Sequence, residues 1–160
     1  MDTDFANIEG MFKTNTDIVK KAITEIPEVD WFRSPGDDSN HLMWVTGHVI
    51  WSRGNVLKSL NAQWTAPWLP MFARGVTRAV DEQYPPVAEI QSAWSDVSTR
   101  LLDCLANAPA ELLAKMAPQG PPSFDGKLSG LVAFLAFHET YHVGQISYLR
   151  KWLGHGQSVG

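Results

Sequence analysis

KLSGLVAFLAFHETYHVGQISYLRKWL, residues 127–153, reads as one uninterrupted helix. Leu131, Phe134, Leu135, His138, Tyr141, His142, Gln145 and Leu149 recur at three-and-four spacing and share a broad face. Gly154 follows as a stop signal. At 1.5 Å per residue the segment is about 40 Å long, enough to run the length of a helical bundle.

Working outward from it, three more long segments carry the same periodicity. The first runs from about Thr3 to Ile26, with Phe5, Ile8, Phe12, Val19, Ala22, Ile23 and Ile26 on its apolar side, and Pro27 ends it. RSPGDDSN (33–40) is loop chemistry, and Asp38, Ser39 or Asn40 is a candidate cap for the next helix, which spans about His41–Leu60. The third covers roughly Pro85–Asn107, marked by Val87, Ile90, Trp94, Val97, Leu101 and Leu105. Pro109–Met116 offers a short extra helical piece ahead of the Pro/Gly loop at 117–126. No strand alternation is long enough to build a sheet, so the expected class is all-α. One domain is expected over 1–154, with a frayed tail at 155–160 that includes His155.

Residues 61–84 form the longest connection, rich in aromatic residues and proline (Trp64, Pro67, Trp68, Pro70, Phe72, Tyr84). Two readings stand side by side: the connection covers a site, or it plugs the end of the bundle.

The chain has 160 residues, 44% of them apolar and 19% charged, with a net charge of −4, so disorder and a membrane-spanning character are both excluded. No Lys/Arg run suggests phosphate-backbone binding, and neither a nucleic acid nor a membrane is an expected partner. Cys104 is the one cysteine and reads as structural; a reducing, cytoplasmic setting is expected. The N-terminal MDTDFANIEG reads as neither a signal peptide nor an anchor.

The chemistry concentrates in HETYH, residues 138–142. Histidines at i and i+4 sit about 6 Å apart along one side of a helix, so both imidazoles can reach one cation. The string is formally H-E-x-x-H, the zinc-protease pattern. The protease reading fails on the third ligand: Gln145 and Tyr148 stand where a metzincin has Gly and His, and no Asp or Glu follows Glu139. A further ligand from the same chain must therefore come from upstream, where only His41 and His48 are available. His41 lies about 10 Å from His48 along one helical stripe, too far to share an ion unless it reaches in from another direction. Three neutral imidazoles with an open position make a recognised metal site. Spacing alone leaves two readings open, a shared ion or a hydrogen-bonded polar core.

Around the histidines, Glu139 is a candidate general base, a partner to a ligand imidazole, or a solvated surface residue. Gln145 faces the same way as His138 and is a candidate substrate or water contact. Trp44, Trp51 and Tyr141 are candidate pocket walls or plain core. Arg53 and Arg74 are candidates for an anionic substrate or for the surface.

Two segments together resemble a known family. LMWVTGHVIWSRGNVLKSLN (42–61) is similar to the second-helix signature of the DinB/YfiT-like proteins, and FHETYHVGQISYLRKWLG (137–154) to the fourth, in which His, three residues, His, then Gly-Gln is typical. Their order and their separation of about ninety residues also agree. The resemblance implies an up-down-down-up four-helix bundle with a long crossover between helices two and three. It implies a divalent metal (zinc, nickel or iron) held by His48, His138 and His142 at one end of the bundle, and a homodimer. The activity it implies is that of a metal-dependent enzyme activating a thiol or water for attack on a small-molecule substrate, with a low-molecular-weight thiol as co-substrate in the transferase-like members. A metal-dependent hydrolase and a non-catalytic, stress-related bundle with a vestigial metal site are the alternatives.

Overall fold

Each long helix buries one side, and the partners of those sides fix the architecture. The computed structural model describes residues 3–159. Its long helices are α1 (Thr3–Ile23), α2 (Leu42–Ser59), α3 (Val87–Ala106) and α5 (Leu128–Trp152), with one short turn of helix, α4 (Ala110–Leu113), between the last two. Among the described residues there is no strand, only an isolated antiparallel bridge between Met116 and Lys127 that closes the loop before α5.

The helices form a ring in the order α1, α5, α2, α3. Asn15 meets Thr140 and Arg150 meets the Ala22 carbonyl, so α1 and α5 run parallel. His48 meets His142 while Arg53 meets Glu139, so α2 is antiparallel to α5. The start of α2 packs near the start of α3 (the His41 and Tyr84 rings lie 5.3 Å apart), and Arg53 reaches Ser98, so α2 and α3 are parallel. This is the up-down-down-up arrangement. It also explains the crossover: the chain must travel back along an 18-residue helix, about 27 Å, before α3 can begin.

Local chemistry sets the ends of the helices, and several differ from expectation. α1 stops at Ile23 rather than Ile26, because Glu25 takes a left-handed conformation (φ 59°) ahead of Pro27. Ile26 is still buried, since the turn folds it back onto the core. α2 is capped by none of Asp38, Ser39 and Asn40. Its cap is His41, whose Nδ1 accepts the Trp44 N–H at 3.1 Å. α5 ends in a Schellman motif: Gly154 (φ 87°) donates to the Lys151 carbonyl and His155 to that of Arg150.

Of the tail expected to fray over 155–160, His155 and Ser158 are tied down, and Gly160 lies outside the described residues. His155 Nε2 lies 2.8 Å from Asp30 Oδ2, and the buried Ser158 donates to Ser147 at 2.8 Å. Both anchors are long-range or side-chain contacts, invisible in the polar sequence HGQSVG.

The core runs the length of the bundle, from Phe12 and Val19 on α1 through Leu42, Trp94 and Leu101 to Ile146 on α5, all at most 2% exposed. Each such side chain contributes about 1.5–3 kcal/mol of burial free energy. No helix among the described residues is long and apolar enough to cross a membrane.

Candidate metal centre

His48 sits on α2 and His138 and His142 on α5, and the antiparallel contact of the two helices brings the three rings together. One nitrogen from each lies within 4.8 Å of the others. The two α5 rings approach most closely, with Nε2 to Nε2 at 3.1 Å. Two nitrogens bound tetrahedrally to one zinc-like ion at 2.0–2.1 Å stand about 3.3 Å apart, so the spacing fits a shared cation.

The remaining nitrogens are arranged to leave Nε2 free. His48 Nδ1 lies 2.8 Å from the Phe72 carbonyl oxygen, which only accepts, so Nδ1 carries the proton. The ring is stacked between Trp44 (centroids 4.8 Å, planes 8° apart) and Trp51 (5.3 Å, 23°), at i−4 and i+3 on the same helix. His142 Nδ1 lies 2.7 Å from Gln145 Oε1, one turn along α5, which assigns its proton in the same way. A metal-ligating histidine is normally held by such a contact to its other nitrogen. His138 differs: its Nδ1 is buried without a partner, so its only polar engagement is through Nε2 toward the common point.

Burial lowers the pKa of all three rings. His138 is pushed down to about 4, by burial first and then by the positive charge that His142, His48 and Arg74 would place near it. His48 is lowered by burial, against the opposing bond to Phe72, and His142 by burial, against the contact with Gln145. Near pH 7 the three are neutral imidazoles, the form that ligates metal. The donor set and the Nε2–Nε2 spacing of the two α5 rings fit a divalent ion, and the unpartnered His138 Nδ1 is the one departure from the usual support of a ligand ring. Left without one, two Nε2 atoms 3.1 Å apart have only a single shared proton to join them.

The rings open onto a pocket of about 370 Å³ walled by Trp51, Phe134, Leu135, Tyr141 and the Pro121–Pro122 pair, with Ser52, Asn55 and Arg74 as its other polar groups. The 61–84 connection therefore reaches the site. Its 3-10 turn, Leu69–Phe72, supplies the carbonyl that orients His48, and Arg74 follows two residues later. The connection also packs as a plug: Phe72 is fully buried, while Trp64 and Trp68 donate to Asp96 (2.7 Å) and Glu89 (2.6 Å) on α3.

Other candidates lie elsewhere. Glu139 is neither solvated nor a general base at the centre. It is 1% exposed, and both carboxylate oxygens accept from Arg53, at 2.7 and 2.8 Å. Arg53, fully buried, also donates to Ser98 Oγ (2.6 Å) and the Phe12 carbonyl (3.2 Å), and its guanidinium lies over the Trp94 ring at 3.9 Å. It is thus on neither the surface nor the pocket wall. Gln145 meets the His142 ring. Tyr141 and Trp51 are walls, and Trp44 stacks behind His48. His41 is a helix cap, with burial lowering its pKa to about 4. Nothing in the sequence signals the Phe72 carbonyl, since any residue there has one. Tryptophans at i−4 and i+3 from His48 were the visible hint of the stacked ring.

A family model described as the DinB superfamily matches residues 11–146. The chain belongs to the DinB superfamily. The matched stretch runs from the middle of α1 through most of α5 and includes all three histidines. No curated protein matches the chain.

Proposed function

We propose that this DinB protein is a metal-dependent enzyme that activates a small thiol for attack on an electrophilic substrate. The observation that carries this reading is three neutral imidazoles with one nitrogen of each within 4.8 Å of the others, beside an open pocket, with no fourth His, Cys, Asp or Glu joining them among the described residues. An imidazole set with an open position suits zinc, nickel or iron. A divalent ion bound there supplies Lewis acidity, lowering the pKa of a thiol or water at its open position.

The chain's own residues supply the rest. The Phe72 carbonyl and Gln145 keep the His48 and His142 protons on Nδ1. Trp51, Phe134 and Tyr141 give the substrate an apolar bed and thin out water around the nucleophile. No carboxylate lines the pocket and Glu139 is committed to Arg53, so the thiol proton leaves to solvent through the pocket mouth. The homodimer draws support from an exposed aromatic row on α5, Phe137, Tyr141 and Tyr148.

The test is turnover of chlorodinitrobenzene by metal-loaded protein with and without mercaptoethanol. The reading expects a rate that rises and saturates with thiol and drops to the uncatalysed rate in His138→Ala. Thiol-independent hydrolysis of an activated ester would indicate water as the nucleophile. A bound ion with neither activity would indicate the non-catalytic bundle.

A further inference from the structure

We infer that Arg74 makes this pocket selective for a small-molecule carboxylate with an apolar body, and that Arg74 is the group that binds the carboxylate. The inference rests on the pocket being the substrate site and deepens that reading. Among the lining residues Arg74 carries the one permanent charge, and no Asp or Glu shares the wall. The nearest acid in sequence to the histidines, Glu139, is neutralised by Arg53 inside the bundle. Arg74 has no ion pair with another described residue. Its guanidinium is a planar fork of donors suited to a carboxylate.

Position strengthens the case. Arg74 follows Phe72, whose carbonyl binds His48, through an extended Ala73 (φ −65°, ψ 153°). Arg74 and the three histidines line the same pocket, so the guanidinium and the histidine cluster can address different ends of one molecule. The positive charge of Arg74 is felt at both His48 and His138, where it disfavours protonation. Between these polar ends the wall is Trp51, Phe134, Leu135 and the Pro121–Pro122 pair, which suits a hydrocarbon or aromatic body. Arg74 itself is exposed at the pocket's edge, where an entering anion meets it first.

The test uses metal-free protein at pH 8, where the imidazoles are neutral and no ion can attract the probe. Phenylpropionate and its uncharged analogue phenylpropanamide are titrated separately, with binding read from the indole N–H signals in nitrogen-edited NMR spectra. The expected result is that the acid binds about fivefold or more tightly than the amide. Arg74→Met should remove that preference while the amide's affinity holds, and Arg74→Lys should retain part of it. Equal affinity for acid and amide in the unmodified protein would overturn the inference. So would a preference for the acid that survives Arg74→Met. Metal content is measured on separate samples, so the two readings fail separately: bound ion without acid preference overturns this inference alone, and acid preference without bound ion overturns the metal-enzyme reading alone.

Discussion

Arg53 on α2 and Glu139 on α5 form an ion pair buried between the facing helices, with neither partner more than 1% exposed. Removing one partner leaves the other charge buried and uncompensated. Arg53→Met is therefore expected to cost about 3–5 kcal/mol in urea unfolding, and Arg53→Met with Glu139→Leu to recover much of the loss. If the single variant were as stable as the unmodified chain, the pair would have no structural role. This is also where the sequence was least legible. A helical wheel gives the direction in which Glu139 points, but not that a guanidinium 86 residues away waits there. The histidines were legible for the opposite reason. An i,i+4 pair restricts its own geometry, and only two upstream histidines could complete it. The choice of His48 over His41 came with the family resemblance, and the structure uses His41 as a helix cap.

At the scale of elements, the crossover and α2 meet at Gly47. A Cβ there would collide with the ring of Phe72, which is buried and cannot swing aside. Gly47→Ala should push the Leu69–Phe72 turn outward, lowering stability by about 1–3 kcal/mol in denaturant titration. It should also detach the Phe72 carbonyl from His48, seen as a change in the His48 ring nitrogen shifts. Unchanged shifts would mean that the turn does not set the tautomer. The long helices were readable from periodicity to within a few residues, because an apolar stripe directly reports the buried face. The up-down-down-up order came only with the family resemblance, since periodicity does not say which stripes face each other. From the sequence alone the role of the crossover is a choice between plug and cover. It does both, through the Trp64 and Trp68 contacts on one side and Phe72 and Arg74 on the other.

For the whole molecule, the buried histidines set how stability responds to acid. His41 and His138 have folded pKa values of about 4, against an unfolded value near 6.5. Between those values the unfolded chain binds protons that the folded chain refuses, so stability rises with pH. The metal-free protein should therefore be most stable above about pH 6.5 and lose a few kcal/mol as the pH falls toward 4, measured by urea midpoints across that window. His41→Asn, which keeps a capping oxygen, should flatten the slope, whereas an unaltered slope would place the acid sensitivity elsewhere. The account's central claim, that His48, His138 and His142 hold one divalent ion, is tested most directly by elemental analysis of protein purified with neither an affinity tag nor chelator. The expected result is one divalent ion per chain, lost in the triple alanine variant while its helical circular dichroism persists. Protein that carries no stoichiometric ion and takes up none when zinc, nickel or iron is offered would contradict it.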